Sequence, residues 1–470
     1  MGLRLRIPVL ASIFALLTLS TASPALGSAG SRASPGDQLW IDRYDGPGHG
    51  GDFAYDVEPS PDGSKVFVFG DSYGGASTGQ DYLTIAYDLR TGQRLWQARY
   101  DGPKHDSDFG AAMAVSPDGS KVFVTGGSYG RVDSSDVVTV AYAASSGKRL
   151  WVERYGGPED SFDGVSDIGV SPDGSKILIT GSSEEPDYNG DFATVAYNAS
   201  TGARLWTRNY DGARHAEDSA IALAPSPDGS MVFVTGTSRG RHDDYLTVAY
   251  DAANGSTVWV GRTGINGLEN QAESIAASGD GSKVFVTGRT RDPATSVDIG
   301  TVAYDAHTGG ELWRTRVAGP GRVYDVPYEV VVSPDGSKLF VAGSTGYDAS
   351  GNEDYATVAL DPDTGSVLWE ARFDDPPGSD AADPIRLAVS PDGSEVFVTG
   401  STGPFGSSWE YGTVAYDAAT GTQLWDVFYE GPGLSNSPEA IAISPDGTEV
   451  FVTGSSYPWD YVTIAYSTSG

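Results

Sequence analysis

Carboxylates recur along this chain at fixed offsets, and paired carboxylates can bind cations or divide acid and base work between them. One column reads Asp81, Asp136, Asp191, Asp244, Asp298, Asp354, Glu410 and Asp460, each three residues before a Thr. A second reads Asp52, Asp108, Asp163, Asp218, Asn270, Asp325, Ala382 and Asn436, and His49, His105 and His215 stand three residues before three of its members. A side chain that recurs in every repeat serves what every repeat needs. Both columns therefore read first as residues bonding loop N–H groups at strand ends. Residues that break the repeat carry more functional information. Trp409, Trp459 and Tyr457 are such residues, together with Tyr73, Tyr129, Tyr188, Tyr347 and Phe405 between strands. Arg239, Arg241, His242, Arg289 and Arg291 concentrate positive charge in two neighbouring repeats. Aromatic plates beside carboxylates suit sugar rings, and guanidinium forks suit carboxylate or phosphate. The expectation is a rim that binds an extracellular glycan or a protein partner; ordinary loop packing is the alternative. Asp187-x-Asn189-x-Asp191 and Asp348-x-Ser350-x-Asn352-x-Asp354 alternate oxygens as calcium loops do, without the Gly and bidentate Glu of an EF-hand. The chain has no His-Glu-x-x-His, phosphate loop or Gly-x-Ser-x-Gly, so no catalytic residue is assigned.

These residues hang on a repeat. Ser-Pro-Asp-Gly or a close variant begins at Ser60, Ser116, Ser171, Ser226, Ser278, Ser333, Ser390 and Ser444, at steps of 52 to 57 residues. Trp40, Trp96, Trp151, Trp206, Trp259, Trp313, Trp369 and Trp425 keep the same period, as does a Thr-x-Ala-Tyr segment in which Leu360 once replaces Tyr. Each unit reads as four short strands: one before the Asp-Gly turn, a Val/Ile/Phe-rich one after it, the Thr-x-Ala-Tyr strand, and Leu-Trp-x-x-Arg-Tyr. A loop of 5 to 10 residues is expected between the second and third strands. No segment sustains a helical period. A four-stranded unit cannot bury both faces alone, so the units must stack around an axis as a β-propeller. Gln38 to Tyr44 is a fourth strand lacking its first three, and the chain ends after a third strand. Together they complete an eighth blade. The expected fold is all-β, one eight-bladed propeller over residues 37–470.

With 63 acidic and 30 basic residues the formal charge is −33, which disfavours a nucleic-acid partner. The chain has no cysteine, so disulfides and thiolate sites are excluded. Arg4 and Arg6, an apolar run of 13 residues from Ile7 to Leu19, and Ala25-Leu26-Gly27 read as a secretory signal over residues 1–27. An uncleaved anchor is the alternative. Residues 28–36 read as a loose leader. The run is short for a membrane span, and the mature protein is expected outside the cytoplasm as a monomer.

Ala415-Tyr416-Asp417-Ala418-Ala419-Thr420-Gly421-Thr422-Gln423-Leu424-Trp425 resembles the tryptophan-docking repeat of the pyrroloquinoline quinone (PQQ)-type propellers. The pattern is complete also at Ala86–Trp96, Ala303–Trp313 and Ala359–Trp369, and partial elsewhere. The resemblance implies the eight-bladed fold and raises a dehydrogenase holding PQQ and calcium near the axis. The blades here carry no large insertion, and the adjacent-cysteine disulfide of many such dehydrogenases is impossible. Because fold does not imply function, the leading expectation is a secreted, non-catalytic binding or interaction scaffold. A PQQ- and calcium-dependent dehydrogenase is second, and an extracellular polysaccharide hydrolase or lyase third.

Overall fold

The computed structural model describes residues 33–129, 135–156, 163–184, 190–212, 215–264, 268–294, 296–319, 324–346, 354–373, 381–403, 409–433 and 435–468. Within them, 32 strands and no helix form eight four-stranded antiparallel sheets. Blades 1 to 7 span 52–100, 108–155, 163–210, 218–263, 270–317, 326–373 and 381–429. Blade 8 joins Asn436–Ile443, Glu449–Ser456 and Asp460–Ser467 to Gln38–Tyr44 from the other end of the chain. The closing pair runs antiparallel, with Ile41 opposite Ile464 and Tyr44 opposite Tyr461. The ring is thus closed as expected, and it leaves no open sheet edge between first and last blades. The expected signal over residues 1–27 lies outside the described residues. Gly36, expected in a loose leader, instead donates its N–H to the Ser467 carbonyl at 2.8 Å.

Local chemistry explains each blade. The β-branched and aromatic second and third strands are almost wholly buried, because both their faces pack against neighbouring blades. Inside the sheet, Thr125 Oγ1 and Thr139 Oγ1 lie 3.1 Å apart, a buried cross-strand pair that satisfies both hydroxyls. Every first strand carries a β-bulge, at Ala54/Asp56 in blade 1. Gly70 faces that bulge, where a Cβ would sit 1.9 Å from the Phe53 carbonyl oxygen. Strands run further than expected, as in Lys65–Gly75 and Gly79–Asp88, so hairpins replace much of the loops. Tyr73, Arg239, Arg289 and Arg291 are consequently strand residues.

Blades are joined by the tryptophans. The Trp206 indole donates to the Ala252 carbonyl in the next blade at 3.1 Å, and the same bond links Trp40 to Leu89, Trp96 to Ala144, Trp259 to Ala306 and Trp369 to Ala418. Each ring lies under the Thr-Gly-type turn of the following blade. A Cβ on Gly92 would meet the Trp40 ring at 2.5 Å, so glycine is required for close approach as well as for its φ of 66°. Trp425 departs from the pattern: its ring meets Gly36, yet its indole N–H is buried without an acceptor. We expect Trp206→Ala to cost about 3–5 kcal/mol, read as a lower midpoint in chemical denaturation. An unchanged midpoint would contradict the wedge.

Candidate functional site on the loop face

The connections between second and third strands, and those between blades, share one face. There the first acidic column is a clamp. Arg99, from the fourth strand of blade 1, donates to Asp81 Oδ2 at 2.8 Å, to the Ser72 carbonyl at 2.7 Å and to Ser72 Oγ at 2.6 Å. Arg154 holds Asp136 and Ser128, Arg262 holds Asp244 and Ser238, and Arg43 holds Asp460 and Ser456 in the same manner. These are the arginines of the Leu-Trp-x-x-Arg motif. A fork of donors binding carboxylate, carbonyl and hydroxyl ties three strand ends together. The second column also bonds loop backbone. Asp52 accepts from the N–H of Gly46 at 2.7 Å and of Tyr73 at 3.1 Å, and Asp108 accepts from Gly102 at 2.6 Å. His49, His105 and His215 are exposed and pair with Asp45, Asp101 and Asp211.

The two columns meet between blades. Asp45, Asp52 and Asp460 place oxygens within 4.8 Å of one another, as do Asp81, Asp101 and Asp108, and Asp191, Asp211 and Asp218. Asp191, expected in a calcium loop with Asp187 and Asn189, lies near Asp211 and Asp218; Asp187 and Asn189 lie outside the described residues. So do Asp348 and Asn352 of the second candidate loop, while Asp354 begins the third strand of blade 6.

The arginine column fails twice, at Asn209 in blade 3 and Phe428 in blade 7. At the second failure the loop face opens into a cavity of about 540 Å³, lined by Glu410, Glu430, Gly431, Pro432, Gly433, Ser435, Asn436 and Tyr457. Phe428 occupies the sequence position of the clamping arginine, but its ring stacks on Phe373 at 6.1 Å, and Glu410 lies beside Glu430 on the cavity wall. Burial, and then the Glu430 charge, raises the Glu410 carboxyl above its ordinary range. Of three expected rim residues, Tyr457 lines this cavity and is 50% exposed, while Trp409 and Trp459 stand close to lining residues in sequence. Trp459, in the same turn, is 39% exposed and lies 5.9 Å from the Phe53 ring. Trp409 precedes Glu410, and its carbonyl accepts the Asn436 amide at 2.6 Å. Nothing in its own repeat position marks Glu430; the signal in the sequence is the missing arginine at Phe428.

The expected positive sector is internally balanced. Arg239 pairs with Glu217 and Asp243, Arg289 with Glu273 at 2.8 Å, and Arg291 with Glu269 at 2.8 Å. Arg241 is exposed. A smaller cavity of about 270 Å³ between blades 4 and 5 is lined by Arg239 but also by Glu217, Asp243 and Glu273.

A family model described as outer membrane protein assembly factor BamB matches residues 29–172, 134–346 and 298–458. The chain belongs to the BamB family. No curated protein matches it in sequence. BamB from Moraxella catarrhalis superposes at a TM-score of 0.50 with 14% identity, covering 92% of this chain and 98% of that one. Chaetomium thermophilum Sqt1, bound to the N-terminus of the ribosomal protein L10, gives 0.60 and 15% over 92% and 100%. The quinohemoprotein alcohol dehydrogenase ADHIIG from Pseudomonas putida HK5 gives 0.54 and 14% over 92% and 76%. These likenesses concern the fold.

The axis of this BamB-family propeller does not fit a quinone–calcium site. Asp56, Glu58, Asp167 and Glu329 each accept a backbone N–H from the next blade, at 2.9, 2.7, 2.8 and 2.6 Å. They stitch the inner strands together, and the Arg386 charge acts on Asp56, Asp167 and Glu329, among which a cation would have to sit.

Burial raises the carboxyls of Asp56, Glu58 and Glu329, and pushes Asp167 and Asp71 up to about 7. The turn aspartates behave oppositely. Asp62 accepts from Ser60 and Ser64 and is held down to about 2, as are Asp118 and Asp173. Above the unfolded carboxylate range near pH ~4, the buried acids keep protons in the native state that the unfolded chain has lost, so stability falls as pH rises towards about 7. Below that range the turn aspartates hold fewer protons than the unfolded chain, and stability falls as pH falls. Melting temperature should therefore peak near pH ~4–5, and Asp167→Asn should flatten the decline on the alkaline side. A melting temperature that climbs steadily from pH 4 to 8 would contradict this assignment.

Proposed function

We propose that the protein is a secreted, non-catalytic interaction scaffold. Its ligand site is the cavity between blades 7 and 8, and its partner is a protein segment presenting a lysine or arginine side chain. The observation that carries this reading is the unclamped carboxylate. Glu410 and Glu430 share a cavity whose lining, among the described residues, contains no basic residue. A guest cation would supply the charge that arginine supplies in other blades. Tyr457, on the cavity wall, offers an aromatic face to the aliphatic stem and charged head of such a side chain. The overall charge of −33 would steer a basic partner toward the molecule. The BamB description names an assembly factor, and the Sqt1 structure contains a bound N-terminal segment; both are properties of those proteins, and they support an interaction role for this fold.

The test is calorimetric titration with a lysine- and arginine-rich peptide, with a glutamate-rich peptide as control. The Glu410→Gln/Glu430→Gln double variant should bind about tenfold more weakly or worse, and Tyr457→Ala should also lose affinity. Equal binding by the double variant would place the interaction elsewhere. Binding of a neutral oligosaccharide, indifferent to both glutamates, would contradict the choice of partner.

A further inference from the structure

The face opposite the loops carries the Ser-Pro-Asp-Gly turns, and there the proline of one turn lies against the glycine of the turn in the following blade. A Cβ on Gly119 would meet Pro61 Cδ at 3.4 Å, one on Gly174 would meet Pro117 at 3.6 Å, and one on Gly447 would meet Pro391 at 3.3 Å. The same contact, at 3.5 to 4.0 Å, joins Gly63, Gly229, Gly281 and Gly393 to Pro445, Pro172, Pro227 and Pro334. The junction of blades 5 and 6 differs. Blade 5 reads Ser278-Gly279-Asp280-Gly281, without the proline. A Cβ on Gly336, in the turn of blade 6, would meet nothing within 4 Å.

A cavity of about 340 Å³ opens at this junction, with Gly279 and Gly336 in its lining. Phe285, Val332, Pro334 and Pro362 give it an apolar wall. Three carboxylates, Asp280, Asp335 and Asp363, and one ammonium, Lys283, edge it. Lys283 Nζ donates to Asp363 Oδ1 at 2.8 Å. Serine donors meet Asp280 and Asp335 at Oδ1 and hold both carboxyls down to about 2, so they are ionised at neutral pH. No other blade has an acid at the position of Asp363. A missing proline and an added carboxylate thus coincide at one junction.

We propose that this cavity is a second interaction site, on the face opposite the first, and that it takes a proline next to a lysine or arginine in an extended segment of a partner protein. The fold itself defines the seat, since the other seven junctions fill it with a pyrrolidine ring. The apolar wall takes the ring methylenes. A ring that fixes its own φ has little conformational freedom to lose on docking. The surplus of carboxylate over ammonium on the edge complements a basic neighbour. The net charge of −33 opposes a second copy of this chain as the occupant.

The experiment titrates acetyl-Gly-Pro-Arg amide into full-length Glu410→Gln/Glu430→Gln protein, so that the cavity between blades 7 and 8 takes no part. Binding is followed by the Gly336 amide resonance. The expected result is a saturable shift of that resonance at one peptide per chain. Acetyl-Gly-Ala-Arg amide should bind about tenfold more weakly, and acetyl-Gly-Pro-Gly amide should also bind less well. Gly279→Pro restores the motif. The Gly279 N–H makes no hydrogen bond among the described residues and its φ lies outside the left-handed region, so this variant should stay folded, melt no lower, and lose the peptide. A Gly336 resonance that does not move up to ~10 mM peptide would overturn the proposal. So would equal binding of either control peptide, or binding that persists in a folded Gly279→Pro variant.

Discussion

The wedge of each tryptophan under the next blade's glycine turn is the contact on which the remaining structure rests. A four-stranded sheet with two apolar faces has no stable existence alone, and its outer strand is open to mispairing. The indole solves the stacking problem once per blade, filling the gap between sheets and donating its N–H to the neighbouring backbone. The arrangement is directional. Each blade supplies a ring forward and a glycine backward, so the series is satisfied only when it returns to its start. Here the return is made by Trp40, which enters blade 1 from blade 8, and by Gly36, which receives Trp425.

Once the circle exists, the loop face becomes a set of equivalent junctions, each with carboxylates to neutralise. The arginine of the fourth strand does this in several blades, and the acids then act as fasteners. Where that arginine is lost, the same acids change character. At Phe428 the junction opens into a cavity edged by Tyr457. One substitution in a repeated clamp thus leaves a pair of carboxylates on an open cavity. The axial carboxylates are a different case, since they bond backbone in the adjoining blade and hold the inner strands in register.

The architecture was legible because its markers are local and periodic. Trp spacing, the Asp-Gly turn and the Thr-x-Ala-Tyr strand repeat without regard to tertiary context, and Gln38–Tyr44 emerges with the bounds read from its residues. Strand length was not legible in the same way. Whether Tyr73 or Arg239 extends a hairpin depends on pairing with a partner strand, which local composition does not report. The arginine-rich sector looked positive because carboxylates distant in sequence, such as Glu217 beside Arg239, were not counted with it. Trp459 and Tyr457 stood out as departures from the repeat, but Glu430 did not. Its importance comes from what Phe428 fails to supply, and a missing counter-charge shows only when strand columns are compared across blades.

The ring itself is open to a direct test, because the chain contains no cysteine. Ile41 and Ile464 face one another across the closing pair, where antiparallel partners lie about 4.5–5.5 Å apart, within the reach of a disulfide. The doubly substituted Ile41→Cys/Ile464→Cys protein should form an intramolecular disulfide under mild oxidation, seen by peptide mapping, and should melt at a higher temperature than its reduced form. Two thiols that stay free in the folded protein, or cross-links only between chains, would contradict a propeller closed by its own termini.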